Sequence, residues 1–280
     1  MDADAWDSIT QGKRLEVKPV VERLDDKVII HADAKDDAGK LMHYKTLNEL
    51  IRREIEAGTK HIILQGVMGQ RYIASTVKNK DLYIEIHGTP GNNLGAFLDG
   101  ATIEVFGNAQ DMTGNTMNSG RIIIHGNAWD VTGLAARGGS ILIKGHTGYR
   151  VGIHMKEYQG IRPCIVIGET AKDYLGEYMA GGVIVVLNFS GKAHSPVGQQ
   201  IGAGIHGGKI FVRGRVEEHQ LGPGANLSSL KEDDIPELFS YIEQFEKAFH
   251  LDAPKDWEEY VKITPTSSRP FHGHYDPTPI

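Results

Sequence analysis

The feature that most constrains this chain is a repeat of 19 residues. The repeat-opening glycines stand 19 positions apart: Gly88, Gly107, Gly126 and Gly145. A second glycine follows each of them seven residues later: Gly95, Gly114, Gly133 and Gly152. Self-similarity at a fixed period of roughly 20 residues is the signature of a solenoid. The rest of the chain is therefore expected to extend this coil or to cap it.

Each repeat ends in a short run of β-branched residues that alternates with period two, which is typical of a strand with one face in a core. The inward pairs stand four and two positions before each closing glycine: Ile84/Ile86, Ile103/Val105, Ile122/Ile124 and Ile141/Ile143. The same counting assigns these pairs to later, less regular repeats: Cys164/Val166, Ile184/Val186 and Ile210/Val212. We therefore expect seven strand-bearing rungs between residues 82 and 214.

A second apolar column lies three residues past the middle glycine, which in a later repeat is Gly176. Its members are Leu98, Met117, Ala136, Met155, Met179 and Ile205. Two aligned columns suit a coil whose turns stack directly, as parallel strands about 4.8 Å apart. The sequence predicts a mainly β protein, a parallel β-helix in which Met117 is buried between Leu98 and Ala136.

Both ends of such a coil need caps. We expect an α/β cap over residues 1–81, the coil over 82–214, and a C-terminal helix with an extended tail over 215–280. In the N-terminal part we predict strands at 27–32 and 61–64. Between them we predict a helix with Thr46 and Glu49 as a capping box, ended by Gly58.

Residues 66–73 resemble a degenerate first turn of the coil. In the C-terminal part, the apolar spacing predicts a helix from Asp234 to Phe249 and a shorter helix that includes Trp257 and Tyr260. The proline-rich end, from Ile263 onward, is expected to form an extended arm.

Composition sets wide limits on function. The 280 residues are 40% hydrophobic and 24% charged, with a net charge of −6, which gives no argument for nucleic acid or a membrane surface as partner. No apolar run approaches the ~20 residues of a membrane span, and the N-terminus is not expected to be a signal peptide. The single cysteine excludes an internal disulfide and a Cys₄ metal site. We expect a cytoplasmic protein.

Aligned polar residues are the first candidates for chemistry. Four residues past successive opening glycines stand Asn92, Asp111, Asp130 and Tyr149, and Asp173 follows after a one-residue shift. Such a carboxylate row could cleave sugar chains or bind calcium. Turn chemistry, in which Asn and Asp side chains bond nearby backbone, is the favoured interpretation.

Other candidates are weaker. His87 and His125 hold equivalent positions two rungs apart, too far to share one zinc directly, and are expected to face solvent or a partner. His272 and His274 form an isolated pair that could bind metal. Cys164 is predicted to be an unreactive core residue. The glycines lead into strands, whereas phosphate binding needs a glycine that opens a helix.

A row of residues three positions before each closing glycine should face outward, yet it is apolar: Ile123, Leu142, Ile165, Val185 and Phe211. Across five rungs this patch would extend about 19 Å, which is too contiguous for an uncovered surface. We expect the C-terminal helix to cover part of it. Partner subunits, and self-association into a homo-oligomer, are expected on the remainder.

The segments GNAQDMTGNTMNSG (107–120), GYRVGIHMKEY (148–158) and DYLGEYMAGGVIVVL (173–187) resemble the C-terminal β-helix domain of the large subunit of glutamate synthase. One chain of formylmethanofuran dehydrogenase, a one-carbon enzyme complex, carries a related repeat and is the alternative. The resemblance implies a right-handed parallel β-helix with a structural role, within a complex whose glutaminase-like and synthase parts lie on partner subunits. FMN and an iron–sulfur cluster would belong to the synthase partner, and no cofactor to this chain.

The chain departs from the complete enzyme, because that glutaminase chemistry needs an N-terminal cysteine and this sequence starts Met1-Asp2. No catalytic, cofactor or metal residue is therefore carried over, and the matching residues are scaffold: Gly88, Gly95, Gly107, Gly114, Gly126, Gly133, Gly145, Gly152, Gly176, Met117, Met155 and Met179. A stand-alone carbohydrate enzyme remains an alternative. The tyrosines that could stack on sugar are scattered over different rung positions, which disfavours it.

Overall fold

The computed structural model describes residues 20–35 and 39–267. Over these ranges the chain is mainly β, with a 12-stranded sheet and two α-helices. The elements are β1 Val21–Leu24, β2 Lys27–His31, α1 Tyr44–Glu56, β3 His61–Met68, β4 Tyr83–Thr89, β5 Thr102–Phe106, β6 Arg121–Ile124, β7 Ser140–Ile143, β8 Cys164–Ile167, β9 Ala180–Val186, β10 Gly207–Arg213, β11 Ala225–Ser229, α2 Ile235–Phe249 and β12 Tyr260–Pro265. Short 3-10 helices span Glu218–Gln220, Glu232–Asp234 and Trp257–Glu259.

The sheet follows chain order from β1 to β10 and ends in the order β10-β12-β11. The strands from β2 to β10 pair in parallel, and β1, β11 and β12 pair antiparallel. The seven predicted strand-bearing rungs are β4 to β10, joined by six turns of a β-solenoid. The expected parallel solenoid is confirmed.

The coil interior is a single apolar cluster. Met117 is fully buried. On the neighbouring rungs Leu98 is also fully buried and Ala136 almost so, which confirms the predicted second column. The cluster extends from Val28 to Ile263, because β2 and β3 continue the same sheet before the first regular repeat. Helix α1 closes one end of the coil, burying Leu47 and Ile51 in that cluster, and Asn48 Nδ2 donates to the Arg71 carbonyl at 2.9 Å.

The turns between strands stack through backbone hydrogen bonds of alternating direction. Met112 and Thr116 have positive φ (59° and 52°) and donate their N–H groups to the next rung, at Asp130 and Leu134. Gly114, which lies between them with φ 70°, donates to Leu94 on the rung before. Every turn thus satisfies its polar backbone on both neighbours, as a buried backbone must.

The middle glycine of each repeat occupies the tightest place in this stack. At Gly152, with φ +71°, an added Cβ would lie 2.6 Å from Cδ1 of Ile184, which is fully buried two strands ahead. Gly95, Gly114, Gly133 and Gly176 have the same relation to later isoleucines. Glycine is therefore required by both its backbone conformation and the close approach of a core side chain.

The predicted inward pair of β8 is wrong by one residue. Ile141 pairs with Ile165, and Ile143 with Ile167, so Ile165 and Ile167 enter the core, while Cys164 and Val166 face outward. The prediction took the residues four and two positions before Gly168 as inward, but Gly168 does not close the repeat. It stands beside Lys144, and Glu169 takes the place equivalent to Gly145. An added Cβ at Gly168 would lie 2.1 Å from the Lys144 carbonyl oxygen and 3.1 Å from Cζ of Phe245, so this glycine allows both the close approach of the neighbouring rung and the packing of helix α2.

Two predictions on the flanks also need correction. Helix α1 begins at Tyr44 with His43 as its N-cap, so Thr46 and Glu49 do not form a capping box; the Tyr44 ring contacts Tyr72 and Arg71 of the coil's first turn, which favours the earlier start. The arm from Ile263 begins as part of β12, inserted between β10 and β11. Its remaining residues from 268, with His272 and His274, lie outside the described residues.

The contact at the middle glycine can be tested by two matched substitutions. Gly152→Ala and Gly160→Ala both place a side chain at positive φ, which costs about 1–2 kcal/mol. Only Gly152→Ala also meets a buried isoleucine, since nothing lies within 4 Å of a Cβ at Gly160. We expect urea unfolding to show an additional loss of about 1–3 kcal/mol for Gly152→Ala. Equal losses in the two variants would contradict the stacking described above.

Candidate functional site

Helix α2 covers the outward face of the sheet from β6 to β10. The apolar row beneath it is buried and consists of Ile123, Leu142, Val166, Val185 and Phe211. The row predicted from the sequence is confirmed except that Val166 takes the place of Ile165. Leu238, Ile242 and Phe245 pack on it from the helix. The expected contact with the C-terminal helix is confirmed, and the whole row is buried in a cluster that the helix shares with Leu230, Ala253 and Tyr260.

Charged groups hold the start of α2 on the sheet. Lys262 Nζ lies 2.5 Å from Asp234 Oδ2, and Lys209 Nζ lies 2.5 Å from Glu237 Oε2. Burial alone would raise the pKa of Asp234, but the hydrogen bonds from Lys262 and from the Lys231 N–H lower it below its ordinary value. The ionised carboxylate of Asp234 forms charge-assisted hydrogen bonds, which are strong and directional, and thus fixes both the position and the orientation of the start of α2.

Beyond the end of α2, at β3 to β5 and the edge of β6, the same outward face carries polar and aromatic side chains. We call this surface the His–Glu face. It consists of His61, Tyr83, Glu85, His87, Glu104, Phe106 and His125. The column that is apolar under α2 continues here as Glu104 and Glu85 on successive strands. The face thus changes from apolar to acidic where the helix ends.

The two carboxylates of the His–Glu face form hydrogen bonds with His87, His125 and Tyr83, whereas the buried Nε2 of His61 makes only a longer contact and has no hydrogen-bond partner among the described residues. Glu85 Oε1 lies 2.5 Å from His87 Nε2, and Glu85 Oε2 lies 3.4 Å from His61 Nε2. Glu104 Oε1 lies 2.7 Å from His125 Nε2, and its second oxygen accepts a hydrogen bond from the Tyr83 hydroxyl. Burial, followed by this hydrogen bond, raises the pKa of the Tyr83 phenol, which therefore remains a donor.

Aromatic rings form the rim of the same face. Phe106 stacks between His87 and His125, with centroid distances of 5.0 Å and 4.6 Å. His125 in turn meets the edge of Phe249 at 5.2 Å, so the ring stack continues into the helix-covered cluster. The two histidines predicted to lie two rungs apart on an outer face are found there, joined by a phenylalanine. Phe106 itself remains 40% exposed.

The predicted aspartate row forms a ladder between rungs. Asp111 Oδ1 accepts the N–H of Asp130 at 3.2 Å, and Asp130 Oδ1 accepts the N–H of Tyr149 at 2.9 Å. Asp173 similarly accepts from Gln199 at 2.8 Å. These carboxylates do bond backbone, as the turn interpretation expects, but the partner lies on the next rung. Across residues 20–35 and 39–267, no three His, Cys, Asp or Glu side chains are placed to hold a metal ion.

Cys164 is buried on the outward face of β8, where burial raises its thiol pKa to about 12. Cys164 was predicted to be buried and unreactive, and this environment agrees with that. Its side chain faces α2, however, and not the interior of the coil. A thiol in this state is a poor nucleophile and a poor metal ligand.

The sequence predicted His87 and His125 but missed the carboxylates and Tyr83 beside them. The available signal was the outward column, which reads Glu85 and Glu104 before it becomes apolar at Ile123. Pairing of strands 19 residues apart brings these positions together. None of the described helices has the length and apolarity needed to cross a bilayer.

The chain belongs to the GXGXG motif family, which matches residues 46–264. The matched range runs from α1 to β12 and includes every turn of the coil. The chain is also similar to an uncharacterised protein of Methanocaldococcus jannaschii. The two are 49% identical over 263 residues, which cover 90% of this chain and 97% of the relative.

Alkylation of the single cysteine tests its environment. A pKa of about 12, against about 8.5 for a free thiol, lowers the thiolate fraction at pH 8 by about three orders of magnitude. We expect the native protein to react with iodoacetamide at least that much more slowly than the chain unfolded in guanidinium. Rapid labelling in native buffer would contradict the burial of Cys164.

Replacement of Glu104 tests whether the His–Glu face is held together by its carboxylates. Glu104→Gln keeps the shape but removes the charged acceptor shared by Tyr83 and His125, and we expect a loss of about 1–3 kcal/mol in urea unfolding at pH 7. Glu56→Gln, at an exposed position of α1, is the control and should stay within about 0.5 kcal/mol of wild type. If the two variants unfold alike, the bonds to Glu104 contribute nothing to stability.

Proposed function

We propose that this member of the GXGXG motif family is a non-catalytic structural subunit of a glutamate-synthase-like oxidoreductase complex, serving glutamate formation and ammonia assimilation. The family match and the segments that resemble the glutamate synthase β-helix domain support this assignment. The observation that carries the structural role is the use of the repeated residues. The glycines fit against core isoleucines, the apolar columns fill the coil, and the aspartates bond backbone of the next rung.

The chemistry of the complex is assigned to partner chains. A glutaminase-like subunit would release ammonia, and a synthase subunit would carry FMN and the iron–sulfur cluster. The burial of Cys164, with its raised pKa, supports this division, because the thiol can serve neither as nucleophile nor as cluster ligand. The proposed contribution of this chain is to hold the two partners at a fixed separation.

The surface proposed to meet these partners differs from the one suggested by the sequence. The outward apolar row was the reason to expect association, and it is buried by α2. The His–Glu face is the better candidate, since it continues the helix-covered surface and exposes Phe106 among histidine rings. Aromatic residues are enriched in protein interfaces. Self-association remains a prediction without a surface assigned to it.

The proposal predicts a complex that this surface controls. The full chain, coexpressed with the glutaminase-like and flavin-binding chains of its own genome, should co-elute with them in size-exclusion chromatography. Alone it should show only background glutaminase and glutamate-forming activity. Phe106→Asp places a charge at the rim and should weaken partner binding at least about tenfold by calorimetry. Phe97→Asp, at an exposed aromatic position on a turn, should leave binding unchanged.

Two results would contradict the proposed role, and a third would reject only the surface assigned to it. One is an isolated chain that turns over glutamine and loses this activity in Asp111→Asn or Asp130→Asn. Another is a chain that binds neither neighbour but joins the other chains of a formylmethanofuran-dehydrogenase-type complex. Equal effects of Phe106→Asp and Phe97→Asp would retain the scaffold role and reject the His–Glu face.

A further inference from the structure

A cleft of about 400 Å³ lies between turns of the coil, and no residue of the His–Glu face lines it. Trp129, Gly148, Tyr149 and Lys172 line it, and they belong to three successive rungs. The two aromatic side chains are well exposed, Trp129 at 59% and Tyr149 at 43%. None of their side chains belongs to the apolar core of the coil. The cleft is therefore a surface feature that the scaffold role does not explain.

The cleft exists because one rung lacks a side chain. Gly148 holds the position equivalent to Trp129, since Ala128 and Thr147 pair in parallel just before them. Lys172 is on the following rung, where its N–H donates to the Gly148 carbonyl at 3.2 Å. An added Cβ at Gly148 would overlap Oδ1 of Asp130, which is already bonded to the Tyr149 N–H. The aspartate ladder thus keeps the gap open.

The width of the gap suits one flat ring. Backbones two rungs apart are separated by about 9.6 Å in a sheet-like stack. A ring placed between two side chains at carbon contact distance requires about 7–8 Å. Trp129 and Lys172 are two rungs apart with only Gly148 between them. A planar ring has room to enter this gap and can stack on the exposed ring of Trp129, a contact that a saturated ring cannot make.

The charge of the cleft favours an anion on that ring. The Lys172 ammonium lies 5.6 Å from the Tyr149 ring centroid, and it forms no ion pair with any residue the structure describes. Asp130 is the nearby carboxylate, and one of its oxygens is occupied by backbone. The anionic group would therefore lie on the Lys172 side of the gap, away from Asp130.

We propose that this cleft binds a small molecule with a planar aromatic ring and an anionic substituent. The ring enters beside Trp129 and over Gly148, and the anion pairs with Lys172. The inference is independent of the proposed scaffold role, since no partner chain and no residue of the His–Glu face takes part in it.

Three probes of similar size separate the two parts of this recognition. Indole-3-acetate has the planar ring and the anion, tryptamine has the ring with a cation, and cyclohexaneacetate has the anion without a planar ring. In calorimetric titrations of the full chain, we expect indole-3-acetate to bind at least about tenfold more tightly than either of the others. Equal binding of the three, or no saturable binding of indole-3-acetate at about 10 mM, would overturn the proposal.

Variants then place the binding in the cleft. Lys172→Met keeps the length of the side chain and should remove the preference for indole-3-acetate over tryptamine. Trp129→Ala should weaken both aromatic probes at least about tenfold. Lys144→Met and Phe97→Ala, at an exposed lysine and an exposed aromatic elsewhere, are the matched controls and should bind as wild type. If the control variants lose binding as much as the cleft variants, with thermal melts unchanged, the ligand binds elsewhere.

Discussion

The structure depends on the hydrogen bonds that run between neighbouring rungs. Each turn donates alternately forward and backward, as at Met112 and Gly114, so no rung satisfies its backbone alone. This alternation requires positive φ at fixed intervals, and the rung that results brings a glycine against an isoleucine two strands ahead. The 19-residue period, the glycine columns and the apolar columns are consequences of one stacking geometry.

That geometry leaves little of the repeat free for chemistry. Inward side chains fill the coil, and Asp111, Asp130 and Asp173 are bonded to the backbone of the next rung. What remains are the surfaces where rungs differ from one another. The outward sheet face divides into a part covered by α2 and the His–Glu face, and on the turn side a cleft lies beside Gly148. Specific binding of a partner or ligand by this chain would therefore use these irregular positions.

The sequence predicted the parts of the fold that repeat. The burial of Met117 and the seven strands follow from periodicity, because identical rungs must bury identical positions. The inward face of β8 was missed because Gly168 stands beside Lys144, one position before the place of the closing glycines in the other repeats. The start of α1 was missed because contacts of Tyr44 with the coil outweigh a local capping pattern. The His–Glu face is harder to predict, since its members lie on different rungs and only strand pairing unites them.

The glycine at position 168 also bears on the register in which the similar rungs of this chain pair. Rungs of equal length could in principle pair one step out of place and still bury similar side chains. Helix α2 removes this degeneracy. Phe245 packs where Gly168 leaves space, while the equivalent positions of the three preceding repeats hold Phe106, His125 and Lys144. The helix can dock fully on only one alignment of the rungs and therefore helps to fix the register of strand pairing. A chain paired out of register would leave the apolar face of helix α2 exposed to water.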